Sequence, residues 1–383
     1  MSTLKVNTIS ASTSGQGVDV DIKNPKTNRN LIINGAMQIA QRGTSDSSTN
    51  GYGTVDRFQV IRSGVDENPT QSQVDVASGT TPYTLGFRKA FRVTNGNQTS
   101  VGTSDYISMR YQFEAQDIAN SGWNYLSSSS YVTLSFWVKS SVAQNFYGYF
   151  ETQDGTQYAY PYETGALTAD TWTKITKTLP GNSNLTFDND VNNGLRIYIT
   201  QFWGTDKTGT ITLDQWAAYN TNLRMPDFTS TWYSTNDATF EITGVQFEVG
   251  SVPTDFEHRT KQDDYRKCCR YYEKSYEMDT APGTSTIFSG SHILPAGTSG
   301  AGNSTSCSRN FREEKRATPT MAGYGINNTS NAGKWYYTKN GGNGHNPPTF
   351  HIIGLNQFSA YVDVGQSNDA SSLTGHWTAD AEI

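Results

Sequence analysis

Residues 239–260 read TFEITGVQFEVGSVPTDFEHRT. Phe240 and Ile242 alternate with Thr239, Glu241 and Thr243, the period-2 pattern of a half-buried strand. At Gly244 the alternation jumps by one residue. Val245, Phe247 and Val249 then carry the apolar face, while Gln246 and Glu248 point away. One extra residue at a glycine is a β-bulge, which keeps both halves of a long strand facing one core. Gly250 and Pro253 end the pattern, and a charged helical one follows. The stretch therefore reads as the last strand of a large β domain running into a linker.

Downstream, Thr260 is placed to cap a helix expected over 259–278, with Asp263 three residues on and Asp264 next, both favourable at the positive end of the helix dipole. Tyr265, Cys268, Cys269, Tyr272 and Tyr276 fall on one stripe at helical spacing. That stripe needs a partner surface, either on this chain or on another copy. Residues 279–383 read as a second, smaller β domain, with strand signals at 286–294, 323–326, 334–338, 350–354 and 358–364. Glycine-rich or proline-containing loops lie at 297–302 and 340–348. Strand-like residues run to Ile383, so the chain's end is expected to be tied into a sheet.

Upstream, residues 30–258 read as one β-sandwich. Leu31, Ile32 and Ile33 begin it, and 52–61 and Phe87, Phe91 and Val93 give further strand signals. Ile107, Met109, Tyr111 and Phe113 alternate strictly with Ser108, Arg110, Gln112 and Glu114. Val132, Leu134, Phe136 and Val138 do the same against Thr133, Ser135, Trp137 and Lys139. Phe146, Gly148 and Phe150 follow, against Tyr147 and Tyr149. Residues 172–179, 195–199 and 210–213 supply more, separated by turn pairs such as Asp154-Gly155 and Asn193-Gly194. Eight or more short alternating strands make a sandwich or jelly roll. No repeat of 20–50 residues is present, which argues against a propeller or β-helix. Residues 1–29 form a separate arm. Its one short strand signal, Val18, Val20 and Ile22, cannot bury itself alone.

Composition agrees with mainly β architecture. Only 34% of the 383 residues are hydrophobic, yet 12% are aromatic, 22 of them Tyr. The net charge of −6 leaves no electrostatic footprint for nucleic acid. No apolar run approaches the length of a membrane span. Three cysteines, two of them adjacent, read as reduced thiols of a protein made in a cytosol.

Several phrases resemble bacteriophage tail-fibre and receptor-binding proteins that carry a jelly roll like that of carbohydrate-binding modules. They are NLIINGAMQIAQRGTS at 30–45, GYGTVDRF at 51–58, GVQFEVGSVPTDFEHR at 244–259, CCRYYEKS at 268–275, EEKRATPTM at 313–321 and HWTADAEI at 376–383. The opening MSTLKVNTI is similar to openings of marine phage structural proteins. The resemblance spans most of 30–383. It implies a jelly-roll sandwich at 30–258, a linking helix at 259–278 and a distal β-sandwich domain at 279–383. It further implies a virion tail fibre assembled in the bacterial cytoplasm, residues 1–29 as the arm binding other tail proteins, and a homotrimer. With tail fibres in view, the helical stripe is expected to form a seam between copies.

Five scattered His and the absence of CxxC argue against a transition-metal site. Asp188-Asn189-Asp190 offers oxygen ligands of the kind Ca²⁺ takes, though such clusters are commonly solvated turns. No nucleophile elbow or phosphate loop is present, so no catalytic residue is assigned and no cofactor is expected. A glycosidase needs a carboxylate pair, and Glu151, Asp154, Glu163, Asp206 and Asp214 supply candidates without showing which meet. Sugars stack their CH faces on aromatic rings. The candidate glycan contacts are Trp137, Tyr147, Tyr149, Tyr158, Tyr160 and Trp203 in the sandwich. Trp335, Tyr336 and Tyr337 form an alternative cluster in the distal domain. Burial against a neighbouring subunit or under a loop is the competing reading for each ring.

Overall fold

In the computed structural model Gly244 lies at φ +62°, the left-handed conformation that glycine adopts at little cost. Around it the ladder slips by one residue: Thr243 faces Trp137, and Gln246 faces Ser135. The bulge read from the alternation is therefore present. The structure describes residues 28–287, 290–295, 297–298, 304–326, 331–339, 342–364 and 370–383. The attachment arm expected at 1–29 falls outside this set except for Asn28 and Arg29. Parts of the 286–294 strand and of the two distal loops also fall outside it.

In chain order the sandwich strands are β1 (Ser45–Asp46), β2 (Phe58–Ser63), β3 (Thr70–Asp75), β4 (Lys89–Thr94), β5 (Tyr106–Glu114), β6 (Tyr131–Ser140), β7 (Asn145–Thr152), β8 (Tyr158–Ala166), β9 (Thr173–Pro180), β10 (Asn193–Trp203), β11 (Ala217–Ala218) and β12 (Thr239–Val249). They form two antiparallel sheets, β1-β3-β4-β12-β6-β9 and β11-β8-β7-β10-β5-β2. The inward positions read from the alternation fill one core between the sheets. Phe91, Phe136, Phe150, Ile242 and Phe247 are all fully buried there. Each such side chain stabilises by roughly 1.5–3 kcal/mol relative to exposure.

Two expectations for the sandwich fail. Residues 31–33 form no strand. Asn30 Oδ1 accepts from Ile32 N (2.9 Å) and Phe247 N (3.0 Å), and its amide donates to Val245 O (3.0 Å). Leu31 N donates to Phe247 O, and Val245 N to Gly35 O, each at 2.9 Å. The opening segment thus satisfies the stretch of β12 beyond its four-residue ladder with β4. Residues 210–213 are not a strand either; they belong to a long excursion, 204–230, whose only ladder is β11.

The linking helix is shorter than expected. α4 spans Lys261–Cys269, where α1–α3 are short turns at Thr81–Thr84, Ala115–Ala119 and Thr231–Ser234. Thr260 caps α4 as the sequence implies: its Oγ1 accepts from Asp263 N (3.1 Å) and donates to the Asp263 carboxylate (2.6 Å). After Arg270 the chain is captured by the C-terminal strand, as β13 (Tyr272–Lys274) pairs with residues 378–380. Ladder pairing with a distant strand overrides the helical pattern, so Tyr272 and Tyr276 leave the stripe. Tyr265, Cys268 and Cys269 are buried against Ile39, Ile33 and Met278 of the same chain. This corrects the expectation of a seam between copies, because the stripe is already covered. All three cysteines are free and buried, and burial pushes the Cys269 thiol up to about 12.

The distal strands are β14 (His292–Pro295), β15 (Gly297–Thr298), β16 (Ser304–Asn310), β17 (Thr320–Tyr324), β18 (Trp335–Lys339), β19 (Gly344–Asn346), β20 (Thr349–His351), β21 (Gln357–Asp363) and β22 (Ala370–Asp380). One sheet runs β13-β22-β18-β19 with β14 and β17 also on β22; the other runs β15-β16-β21-β20. Trp335, Phe358, Leu373 and Trp377 pack between them. The chain's end is tied in as expected, since β22 is the central strand. Beyond it, the Glu382 carboxylate pairs with Arg57 and, at 3.5 Å, with Arg42, both of the sandwich. Arg316 donates to Val191 O, Ala381 O and Glu382 O. No helix among the described residues is long and apolar enough to cross a membrane.

The junction also carries a titration that can be tested. Glu114 is buried, which by itself raises its pKa. Hydrogen bonds from Arg270 (2.7 and 2.8 Å) and Tyr271 (2.6 Å) outweigh that and hold it below the ordinary range. Asp117 nearby is pushed up to about 6, by burial first and by the Glu114 charge second. A carboxyl raised in the folded state holds its proton where the unfolded chain has lost it. Its contribution is complete below the unfolded value near 3.8 and is lost as pH rises through about 6. Asp117→Asn should therefore flatten the fall in stability between pH 4 and 6.5. Discounted for the partial exposure of Asp117, the expected difference is about 1–2 kcal/mol. Urea midpoints across that range check it, and parallel curves for the two proteins would exclude the shift.

Candidate functional site

The two sheets present different outer faces. On the first, Trp137 does point away from the core, as its alternation implies. It is half-buried, packing with Trp172 and Phe256 on a cluster of Val76, Phe87 and Ala90. On the second sheet the outward positions line up in rows. Cross-strand pairing sets Gln59, Arg110, Tyr198, Tyr149 and Pro161 side by side on β2, β5, β10, β7 and β8. The adjacent row holds Gln112, Arg196, Glu151 and Ala159.

This face holds a cluster of aromatic rings. Tyr149 and Tyr198 stack with centroids 4.2 Å apart and planes 5° from parallel. Tyr106 stacks on Trp203 at 4.5 Å, and Trp203 meets both Tyr149 and Tyr198 edge-on. The 204–230 excursion folds over one side. Met225 is buried there, Phe228 meets Tyr147 edge-on at 5.1 Å, and the Arg224 guanidinium lies 4.7 Å from the Trp203 ring centre and 5.6 Å from that of Tyr219. The excursion is held by Gly204 N to Asp105 O (2.8 Å), Tyr219 N to Gln157 O (2.9 Å) and Arg224 N to Lys207 O (2.8 Å).

Polar groups on the same face are incompletely satisfied. Tyr149 Oη, Glu151 Oε2, Gln59 Nε2, Arg110 Nε and Arg224 Nε are buried and have no hydrogen-bond partner among the described residues. Glu151 is 3% exposed, and its only charge partner among the described residues is Arg196 at 3.6 Å. Burial pushes the Tyr149 phenol well above its ordinary value, so Oη keeps its proton and is a donor. Most buried polar groups find partners, so five orphans on one face call for a ligand or ordered water. Together the face offers a carboxylate acceptor, phenol and guanidinium donors, and half-buried rings at Tyr106, Tyr147 and Tyr219.

Of the nine rings read from the sequence, the structure brings together Tyr147, Tyr149 and Trp203, with Tyr149 and Trp203 beneath the surface. Tyr160 is corrected: it is 3% exposed and points into the core, where its hydroxyl donates to Thr178 O. Tyr158 packs against the same core. The distal cluster divides. Trp335 is 2% exposed and bonds His376 O (2.9 Å), Tyr337 packs on the distal core, and Tyr336 stands on the opposite side beside His345. Tyr198 and Arg196 were legible as outward positions between Leu195, Ile197 and Ile199. Tyr219 and Arg224 carry no periodic signal, because a loop delivers them.

The two glutamates of this face, Glu151 and Glu163, do not pair. Glu163 stands opposite Tyr147 and Glu151 opposite Ala159 on the β7–β8 ladder, four residues apart, or roughly 13 Å along the strand, beyond glycosidase spacing. Asp154 accepts from Asp188 N, and Asp214 pairs with Lys177. Asp190 accepts from Asn192, and no group of three His, Cys, Asp or Glu is arranged for a cation among the described residues. A cleft of about 530 Å³ beside α4 is lined by Arg266, Lys267, Arg270, Glu313 and Glu314. Its lining has no Trp, Tyr or Phe.

No family model matches the chain, and no curated protein matches it. Among solved structures it is similar to one described as "CBM4 structure and function", at 13% identity over 57% of this chain and 98% of that one, with a TM-score of 0.28. It is likewise similar to the CBM22-1 xylan-binding domain from Paenibacillus barcinonensis Xyn10C, at 8% identity over 58% and 96%, with a TM-score of 0.28. A third is TmCBM61 in complex with β-1,4-galactotriose, at 10% identity over 58% and 99%, with a TM-score of 0.25. At these scores the ligand of this chain has to be read from its own residues.

Proposed function

We propose that this protein binds glycans without catalysis, on the outer face of the second sheet, and serves a bacteriophage as a tail-fibre protein that attaches the particle to the host surface. The observation behind the first part is the set of orphaned polar atoms around the Tyr149–Tyr198 stack. A sugar presents an apolar CH face and a ring of hydroxyls, each both donor and acceptor. Glu151 accepts from such hydroxyls, Tyr149 Oη and the guanidinium groups donate to them, and the half-buried rings take the CH face. Binding of this kind needs no cofactor. The attachment role is supported by the sequence phrases at 30–58, 244–275 and 313–383. On this reading residues 1–29 join the virion, and a homotrimer lets three weak sites act together through a high effective concentration.

The test is binding of the labelled full-length protein to a polysaccharide panel and to bacterial cells, before and after periodate oxidation of surface sugars. Glu151→Gln and Tyr219→Ala are each expected to weaken binding about 10–100-fold, the loss of one or two well-placed polar or stacking contacts. An unchanged melting temperature separates this from misfolding. Cell binding that survives periodate would overturn the glycan reading in favour of a protein receptor, and no binding to any saccharide or cell would favour a structural virion component.

A further inference from the structure

The charges on this face are unbalanced. Arg110, Arg196 and Arg224 converge on it, and Glu151 is the one carboxylate among them. Farther out, Glu163 is held by Asn145 (2.7 Å), Asp227 accepts from Thr208 (2.6 Å), and Lys207 donates to Asn222 (2.8 Å). Arg196 is committed to Glu151, and to Gln112 Oε1 at 3.0 Å. Arg110 spends Nη2 on Gln59 (3.0 Å) and Nη1 on Tyr198 Oη (3.4 Å), leaving Nε without an acceptor. Arg224 is less committed still. It lies over two rings, its Nε has no acceptor, and no described carboxylate forms an ion pair with it. This concentration of cations occurs on a chain whose net charge is −6.

A half-buried guanidinium held between aromatic rings without a counter-ion is ready to receive an anion. Its planar fork matches a carboxylate or sulfate in a bidentate pair. Building on the glycan reading above, we infer that the site selects an acidic saccharide, with Arg224 receiving the anionic group, Arg110 beside it, and Glu151 orienting a neighbouring hydroxyl. Glu151 disfavours an anion at its own position, so the charged substituent sits toward Arg224 and the hydroxylated ring against the half-buried rings of Tyr147 and Tyr219.

The experiment uses the full chain and matched probes: oligogalacturonate and oligoglucuronate, each beside its methyl ester, and a chondroitin sulfate oligosaccharide for the sulfate case. The wild type is expected to prefer an acid over its ester by about tenfold or more, with affinity falling as salt rises. Arg224→Gln should reduce that preference to near unity by weakening acid binding about tenfold more than ester binding, and Arg224→Lys should restore part of it. Equal binding of acid and ester by the wild type would overturn the acidic preference and leave the glycan reading standing. So would a preference untouched in Arg224→Gln. Absence of binding to every acid, ester and neutral saccharide would overturn both. Preference for the sulfated probe would identify sulfate, rather than uronate, as the anion.

Discussion

Lys315→Met is expected to destabilise the protein by about 3–5 kcal/mol, the cost of breaking a buried ion pair by removing one partner. Lys315 is fully buried, and Glu273, its partner at 2.5 Å, is 2% exposed. The ammonium also donates to the carbonyls of Cys269 and Glu313, so one side chain ties α4, β13 and the 311–316 segment together. Methionine matches the length of the stem but leaves the Glu273 carboxylate with only the Arg312 backbone N–H (3.1 Å). Urea unfolding measures the loss. Glu273→Gln in the Lys315→Met background should recover part of it, because the orphaned charge is then gone. A loss below about 1 kcal/mol, or no recovery, would mean that Glu273 reaches water when its partner is removed.

Gly244→Ala is the second large effect, at about 2–5 kcal/mol. The positive φ costs an L-residue about 1–2 kcal/mol, and a Cβ at this position would stand 2.6 Å from Phe87 Cζ. Phe87 cannot retreat easily, because it is buried and meets Phe256 edge-on at 4.9 Å. Overpacking therefore adds about 1–3 kcal/mol. Gly79→Ala is the control: its φ is +82°, yet nothing stands within 4 Å of the added carbon. It should show the backbone share alone, about 1 kcal/mol. Chemical denaturation of both variants gives the two shares. Equal losses would show that the bulge yields and Phe87 moves aside.

The sandwich was legible because its strands are long and half-buried. In β5, β6 and β12 every second residue meets the core, and that periodicity survives in the sequence. The bulge was legible too, because skipping one residue at Gly244 reverses the phase of the alternation. The end of α4 was not legible. Tyr272 and Tyr276 continue a helical stripe, and only pairing with β22, more than a hundred residues away, turns that segment into strand. Ring positions were readable as inward or outward wherever a strand was clear, as at Tyr147 and Tyr149. Whether an outward ring is open or covered was not readable. Trp137 is half-buried in a cluster with Phe87 and Phe256, and Tyr149 lies beneath the excursion that carries Arg224.

By itself, then, the sequence determined the class of this protein: mainly β, a bulged jelly-roll sandwich followed by a smaller β domain, with period-2 patterns strong enough to assign faces. Tertiary structure alone decided which aromatic faces meet, which carboxylates stay apart, and which cations are left without a partner. The physical reason is range. Alternation is set between neighbours along one strand, whereas the site is assembled by cross-strand register and by a loop, whose contacts leave no period in the sequence.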